Sequence, residues 1–269
     1  MKLFISADIE GTCGICDWQE TNIGTPYTDY FITQMTKEVA AVCRAALDNG
    51  FTEVVVKDAH DSARNLIPSL LPRGVKIIRG WSGDPLVMMS GIDESFDAAV
   101  YTGCHSRAGS GANPLSHTMS TKLFEVKING KAVSEFDINS MTASYFGVPS
   151  VLLTGDAELC EKAKADFPYI KTAAVSEGFG GASCSIHPDD AVALIEKRAG
   201  EAFSDFAKNR TRECVLKLPE SFVAEITYKD HVAAYRKSFY PGAKLSEPKK
   251  VEFRTDDYYE LLRCFLFLL

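Results

Sequence analysis

The sequence lacks long hydrophobic runs and clusters of basic residues. Its most apolar stretch, residues 261–269, spans about nine residues interrupted by Arg263, whereas a transmembrane helix needs about twenty. The 29 Lys and Arg residues face 36 Asp and Glu residues, a net charge of -7, which disfavours nucleic acid or an anionic membrane as a partner. Asp8 and Glu10 fall where a signal peptide would be uncharged. We therefore expect a cytoplasmic protein that binds cations or small molecules.

A disulfide pattern is also lacking, although the chain has eight cysteines. Because no export signal is expected, scattered cysteines indicate reduced thiols. Cys13 and Cys16 have the C-x-x-C spacing of a redox pair or of half a zinc site, but no second pair follows. Gly11 and Gly14 indicate a loop where a redox motif would open a helix. We interpret these two cysteines as incidental to function.

No low-complexity segment, internal repeat or flexible linker is visible, and 269 residues fit one large or two modest domains. Strand-like and helix-like segments alternate along the first part of the chain. This alternation predicts an α/β fold with a mostly parallel sheet flanked by helices. The predicted strands are residues 2–7, 53–57, 98–103, 148–154 and 170–175, and the predicted helices are residues 33–48 and 157–167.

Two features predict structure outside this parallel sheet. Asn129-Gly130 lies between extended runs and predicts a tight antiparallel hairpin. Near the C-terminus the pattern predicts a helix over 188–207, strands at 213–218, 222–227 and 250–254, and a last helix from 256. We therefore expect an α/β domain over residues 1–180 and a smaller C-terminal α+β lobe over residues 181–269, packed on it.

Charged or polar residues follow three of the predicted strands. Asp8 and Glu10 end the first strand on the same side of the chain, His60 follows the second, and His105 follows the third. The carboxyl ends of parallel strands meet at one edge of a sheet, where open α/β sheets bind ligands. Two partly buried carboxylates repel, and a bound divalent cation is the usual compensation. One such histidine would be an ordinary loop residue, but the repetition predicts a site.

Two more candidates enlarge this set. His117 lies in a polar loop, and Glu135 follows the predicted hairpin. Imidazoles and carboxylates without a thiolate suit zinc or manganese in a two-metal hydrolytic site, whose ions lie about 3.5 to 4 Å apart. Asp8 is the candidate bridging ligand. Such a site would activate a water molecule and polarise a scissile carbonyl.

Supporting residues follow from spacing. Asp58, two residues before His60, is a candidate to accept the other ring N–H of that imidazole, with Asp61 as the alternative. Asn139, four residues after Glu135, would lie on the same helix face and is a candidate to contact substrate or orient the loop histidine.

Other motifs have weaker functional interpretations. Cys104 is a possible nucleophile paired with a histidine, but neighbouring residues on a strand point to opposite faces, which favours a buried Cys104. Gly178–Gly181 lacks the Lys-Ser or Lys-Thr of a phosphate loop and the spacing of a dinucleotide site, so we interpret it as a mobile loop near the site. His187 and His231 are interpreted as surface or packing residues.

The order of these motifs resembles the M55 family of D-aminopeptidases. The shared motifs are D-x-E-G near the N-terminus, D-x-H, G-x-H, S-H-x-M, and a Glu five residues after the hairpin glycine. The likeness runs from Met1 to Gly155 and more loosely to Val175. It implies a dinuclear zinc aminopeptidase that removes N-terminal residues, D-alanine in the best-known member, from short peptides.

The resemblance also implies roles for individual residues. His117 would be the catalytic residue, as nucleophile or as general base and transition-state stabiliser. The family further implies a self-compartmentalising homodecamer of two stacked rings. Manganese or cobalt stays open as an alternative to zinc. The implied metal ligands are Asp8 as the bridge, Glu10, His60, His105 and Glu135.

The chain departs from the family in two places. It has no basic residue over 176–181, where one or two are expected, and the lobe beyond residue 190 is only loosely similar. Stereospecificity therefore stays open, and so do three alternatives: an L-aminopeptidase, another metal-dependent amidohydrolase with a diverged pocket, and a non-catalytic peptide-binding protein. Five ligands and an additional histidine exceed what a closed four-coordinate structural site requires, which disfavours the last alternative.

Overall fold

Two sheets organise the chain in a computed structural model that describes residues 1–269, apart from the side chain of residue 210. In chain order the elements are β1 (Lys2–Ala7), α1 (Thr28–Asp48), β2 (Glu53–Asp58), β3 (Val75–Ile78), β4 (Ala98–Cys104), β5 (Leu123–Ile128), β6 (Lys131–Ala132), α2 (Glu135–Tyr145), β7 (Ser150–Asp156), α3 (Ala157–Asp166), β8 (Lys171–Phe179), β9 (Ala182–Ser185), α4 (Pro188–Ala207), β10 (Phe222–Tyr228), α5 (His231–Lys237), β11 (Lys244–Glu247), β12 (Lys250–Thr255) and α6 (Tyr258–Leu268).

The first sheet has seven strands in the order β3-β2-β1-β4-β7-β8-β9, and every pairing except β8 with β9 is parallel. Ala7 at the end of β1 is in register with Asp58 of β2 and Thr102 of β4. The carboxyl ends of these three strands therefore lie side by side. The predicted fold class, a mostly parallel sheet flanked by helices, is confirmed.

Helices cover both faces of this sheet because successive strand residues point to opposite sides. Ile5 of β1 belongs to a core cluster shared with helices α1 and α4, whereas its neighbour Phe4 packs in a cluster with Phe136 of α2 and Leu159 of α3. Strands that are buried on both faces have continuous apolar sequences, and residues 54–56 of β2 are three consecutive valines.

The second sheet is antiparallel, in the order β11-β12-β10-β5-β6. Helix α6 packs on it through Leu261, which shares a core cluster with Val126 of β5 and Ile226 of β10. The turn between β5 and β6 has positive φ at both Asn129 (50°) and Gly130 (77°), as a tight hairpin turn requires. The predicted hairpin is confirmed.

Helix α2 lies between the two sheets. Phe136 packs in the core of the first sheet, and Ile138 and Met141 pack in the core of the second. The helix starts where Ser134 and Asp137 cap each other: the Asp137 N–H donates to the Ser134 hydroxyl at 3.2 Å, and the Ser134 N–H donates to the Asp137 carboxylate at 2.6 Å. This start places the first turn of α2 at the junction of the sheets.

Two sequence expectations differ from the structure. Residues 213–218 do not form a strand, since a 3-10 helix occupies Arg210–Cys214. Gly178–Gly181 is not a loop, because β8 extends through 179 and β9 begins at 182, which leaves a two-residue turn. Elements from both sides of residue 180 contribute to each sheet. The second sheet includes β5 and β6, which precede residue 180, while the first sheet includes β9 and packs against α4, which both follow it. The division into domains 1–180 and 181–269 stays a prediction.

Among the described residues, no helix is both long enough and apolar enough to span a membrane.

Candidate metal centre

The first candidate ligands lie just beyond β1, on a segment that continues the contacts of the sheet. The Asp8 N–H donates to the Thr102 carbonyl at 2.9 Å, and the Gly11 N–H donates to the Gly103 carbonyl at 2.8 Å. Gly11 packs directly on the Cys104 carbonyl, where a Cβ atom would overlap it. The glycine of the D-x-E-G motif is therefore needed so that the acidic segment can lie against the end of β4.

Asp8 lies between two histidines. Its Oδ1 is 3.3 Å from the Nδ1 of His60, and its Oδ2 is 3.5 Å from the Nε2 of His105. Glu10 approaches the Nδ1 of His60 at 3.1 Å, and Glu135 approaches the Nε2 of His105 at 3.4 Å. The structure thus brings all five residues expected as metal ligands together at the carboxyl edge of the sheet.

Three overlapping groups could each hold an ion, because within each group the potential ligand atoms lie within 4.8 Å of one another. Asp8 belongs to two of them, and the third includes His117. The groups are Asp8-Glu10-His60, Asp8-His105-Glu135 and Glu10-His105-His117.

Backbone carbonyls orient two of the imidazoles. The Nδ1 atom of His105 lies 3.0 Å from the Ser106 carbonyl, and the Nδ1 atom of His117 lies 2.9 Å from the Leu115 carbonyl. A carbonyl can only accept, so each Nδ1 carries a proton and each Nε2 is the ring nitrogen left to bind a metal ion or exchange a proton. This is the arrangement in which a metal-binding histidine is normally held.

His117 is held from both sides by rings. It stacks on His105 with a centroid distance of 4.3 Å and an interplanar angle of 8°, and Trp18 meets it edge-on at 5.3 Å. Its Nε2 lies 3.5 Å from Glu135 and 3.8 Å from Glu10. The Nε2 atom of the ring therefore faces the two carboxylates, and the His117 side chain is only partly buried.

Unpaired polar atoms in the cluster test whether it fits a metal. Glu10 Oε2, His60 Nε2 and His105 Nε2 are buried and form no hydrogen bond within the part of the chain that the structure describes. A buried polar atom without a hydrogen bond lowers the free energy of unfolding by about 1 to 3 kcal/mol. Nitrogen and oxygen donors in this combination suit divalent zinc or manganese, so the residues fit the expected ions.

Burial and mutual charge set the pKa values of the cluster. Burial and the nearby Glu10 carboxylate raise the pKa of Asp8 well above its ordinary value. Burial also opposes ionisation of Glu10 and Glu135, but the neighbouring imidazoles outweigh it, so the pKa of Glu10 lies well below its ordinary value and that of Glu135 is about 2. Although burial opposes their protonation, the carboxylates raise the pKa values of His60 and His105. A divalent cation would compensate the same negative charge.

Asp58 contacts the loop that follows His60, not its ring. Its carboxylate accepts from the Asn65 side chain at 3.0 Å and from the Leu66 N–H at 2.7 Å. Asn65 also donates to the His60 carbonyl at 2.7 Å. Asp58 therefore fixes the backbone of the loop, and the Asp61 carbonyl accepts from the Trp81 ring N–H at 2.6 Å.

Asn139 lies one turn after Glu135 on α2, and both side chains line a cavity that adjoins the ligand cluster. Its amide nitrogen is 3.5 Å from the Met88 sulfur. Among the described residues it forms no side-chain hydrogen bond with His117, so contact with substrate is the role that its position favours.

Two residues of the site were missed from the sequence. Trp18, which packs against His117, follows no strand and gave no signal. Asp156 ends β7 and accepts from the N–H and hydroxyl of Ser106 at 2.5 and 2.8 Å, which holds the turn after His105. A polar residue at the end of a fourth parallel strand was the signal that could have found Asp156.

The other motifs do not join the site. Cys104 is buried, and burial raises the pKa of its thiol well above the ordinary value, which makes it a poor nucleophile. Cys13 and Cys16 are free thiols. His187 caps the start of α4, and His231 begins α5 with an exposed side chain.

The metal cluster opens into a cavity of about 710 Å³, called here the metal cavity. It is lined by four of the five candidate ligands, Asp8, Glu10, His60 and Glu135, and by Leu262, Phe265 and Leu266 of α6. Trp18 and Trp81 also line it. A cluster of this composition at the carboxyl edge of a parallel sheet, open to a cavity, defines a metal-dependent hydrolase.

The chain belongs to the peptidase M55 family, since the D-aminopeptidase family model matches residues 1–267. It is 28% identical over 270 residues to the D-aminopeptidase of Bacillus subtilis (strain 168), covering 99% of this chain and 96% of that protein. Its structure is similar to that of the Zn-dependent D-aminopeptidase DppA from Bacillus subtilis, described as a self-compartmentalizing protease, with a TM-score of 0.92, 27% identity, and coverage of 100% of this chain and 96% of that chain. The expected family and the expected metallo-aminopeptidase class are confirmed.

Proposed function

We propose that this protein is a dinuclear zinc aminopeptidase that releases N-terminal D-amino acids, D-alanine among them, from short peptides. The observation that carries the proposal is the position of Asp8, whose two carboxylate oxygens face two different histidines. One ion would be held by Asp8, Glu10 and His60, and the other by Asp8, His105 and Glu135. The names of the relatives support zinc and the D configuration.

Ions bound in this cluster would polarise the scissile carbonyl and lower the pKa of a water molecule toward neutrality. The chain itself supplies the proton-transfer group. With Nδ1 tied to a backbone carbonyl, His117 presents Nε2 to the site and accepts or returns a proton there. Stacking on His105 and contact with Trp18 restrict rotation of the ring, so the lone pair keeps its direction.

Hydrolysis of D-Ala and L-Ala para-nitroanilides by zinc-loaded protein tests the proposal. We expect the D substrate to be cleaved preferentially, a chelator to abolish cleavage, and added zinc to restore it. Preference for the L substrate would make the protein an L-aminopeptidase. Cleavage of neither compound, nor of a panel of D-alanyl peptides, would favour another amidohydrolase or a non-catalytic peptide-binding protein.

The likeness to a self-compartmentalizing protease also supports a homo-oligomer, which we propose to be a decamer. Short peptides would be its substrates because an enclosed interior admits small molecules more readily than folded proteins. A cytoplasmic location stays a prediction from the sequence.

A further inference from the structure

A second cavity adjoins the metal cavity. Its volume is about 670 Å³, and Ser120, Thr121 and Leu269 line both cavities. Ser120 follows His117 by three residues, so the shared wall lies close in sequence to the proposed catalytic histidine. We call this second space the basic cavity, because four of its lining residues are Lys122, Lys229, Arg236 and Lys237.

The two cavities differ in the charged side chains that line them. The metal cavity is lined by Asp8, Glu10, Asp61 and Glu135 and, among the described residues, by no lysine or arginine. The basic cavity is lined by one acidic side chain, Asp230, besides the four cationic ones. A concentration of cationic side chains therefore lies next to the metal cavity, in a space that shares a wall with it.

The acidic residue of the basic cavity is already engaged. The Asp230 carboxylate caps α5 by accepting from the Val232 N–H at 3.2 Å and from the Ala233 N–H at 3.1 Å. Lys237 donates to the Phe267 carbonyl, which fixes its ammonium group but leaves further donor hydrogens. Partial burial, together with the nearby Arg236 guanidinium, lowers the pKa of Lys237. An anion bound between these cations would relieve their repulsion.

We infer that the basic cavity binds the C-terminal carboxylate of the peptide substrate while the N-terminal residue lies at the metal cluster. The inference rests on the proposed aminopeptidase function and assigns a substrate class to it: short peptides with a free α-carboxylate. Lys122 is the fifth residue after His117, so their Cα atoms are at most about 18 Å apart. An extended peptide of about three to five residues spans such a distance.

Matched peptide acids and amides test the inference. Zinc-loaded protein is assayed with D-Ala-Gly-Gly-Gly and with the same peptide ending in a carboxamide. We expect kcat/KM for the acid to exceed that for the amide by about five- to tenfold, since the acid alone forms charge-assisted hydrogen bonds. The preference should shrink in about 0.5 M salt because the cations of the basic cavity are partly exposed.

Variants identify the residues responsible. In the double variant Lys122→Gln and Arg236→Gln, kcat/KM for the acid should fall by about five- to tenfold and equal that for the amide. Lys131→Gln removes an exposed lysine that lines neither cavity and should keep the wild-type preference. The single variant Lys122→Gln gives the same comparison with an intermediate loss of preference.

Two results would overturn the inference: equal cleavage of acid and amide by the wild-type protein, or an acid preference that survives in the double variant. Both results would leave the proposed function intact, because peptides are still cleaved. Cleavage of neither peptide by the zinc-loaded wild-type protein would overturn the proposed function and this inference with it.

Discussion

The proposed catalytic role of His117 can be tested separately from metal binding. Its ring is oriented by a carbonyl and by stacking on His105, and both proposed ions have three ligands without it. We expect His117→Ala to lower kcat by about 10² to 10⁴-fold, as the loss of acid-base or electrostatic assistance does, with the metal content unchanged. The exposed His231→Ala serves as the control. Full activity in a metal-loaded His117→Ala protein would refute the assignment.

Glu38 predicts a pH dependence of stability outside the metal cluster. Its Oε1 accepts from the Cys13 N–H at 3.1 Å and from the Gln34 amide at 3.0 Å, while its Oε2 is buried without a hydrogen bond among the described residues. Burial raises the pKa of Glu38 from 4.5 to about 7. Because the pKa is higher in the folded state, protonated Glu38 contributes to the free energy of unfolding. This contribution is fully present below pH 4.5 and is lost as the pH rises through 7.

The variant Glu38→Gln removes this titration. The difference between the two pKa values corresponds to roughly 3 kcal/mol of unfolding free energy. Relative to the wild type, the variant should therefore gain stability as the pH rises from 4.5 to about 7. Denaturant unfolding of both metal-loaded proteins across this range measures the difference. Parallel stability curves would show that the carboxyl titrates normally.

Single residues also show what the sequence could predict of the site. The ligands Asp8, His60 and His105 were predictable because they directly follow parallel strands whose ends must meet at one edge. The partner of Asp58 was not predictable, because it depends on how the following loop folds back to bring Asn65 to the carboxylate. Side chains placed by loop conformation carry no periodic signal.

At the scale of elements, the β8–β9 hairpin supports the loop that leads to His117. The Gly178 N–H donates to the Ala112 carbonyl at 2.9 Å, and a Cβ atom on Gly178 would lie 2.5 Å from that oxygen. Gly178→Ala should therefore displace the loop and lower kcat by about tenfold, with a loss of stability of about 1 to 3 kcal/mol. Steady-state kinetics and thermal unfolding measure the two effects.

The neighbouring Gly181→Ala is the matched control for this prediction. Among the described residues, no atom lies within 4 Å of a Cβ atom built on Gly181, so both kcat and stability should stay close to the wild type. Equal effects of the two substitutions would indicate that the hairpin acts through general flexibility and not through contact with Ala112.

Elements with strong local patterns were predicted well, and weakly patterned ones were not. Helix α4 begins at Pro188 and ends at Ala207 as expected, because proline follows the capping His187 and apolar residues recur at helical spacing. Residues 213–218 are mostly apolar, as in a strand, but this segment follows from a 3-10 helix and pairs with neither sheet. A local apolar pattern cannot reveal whether a partner strand is available.

At the scale of the whole molecule, the arrangement of the second sheet was not predictable from local sequence. Val126 of β5 pairs with Ile226 of β10, so a hairpin inserted in the first half of the chain completes a sheet formed by the last part. Such pairing depends on long-range contacts. As a result, residues of both α2 and α6 line the metal cavity, and its lining combines candidate ligands with apolar side chains.

The proposed assembly predicts a mass. If the chain forms a decamer, light scattering on the purified protein should give the mass of ten 29.5 kDa chains, and that mass should persist on dilution. Cleavage of short D-alanyl peptides should then greatly exceed cleavage of long unfolded chains with the same N-terminus. A monomeric mass for the active protein would contradict self-compartmentalisation.

The count of zinc ions per chain tests the central claim most directly. Elemental analysis of the zinc-loaded, desalted wild type should give two ions per chain, because two ligand groups share Asp8. Asp8→Asn should lose metal and activity, whereas Asp61→Asn, a change in the same cavity outside these groups, should keep both. One ion per chain in the active wild type, or two ions retained by Asp8→Asn, would contradict a dinuclear centre bridged by Asp8.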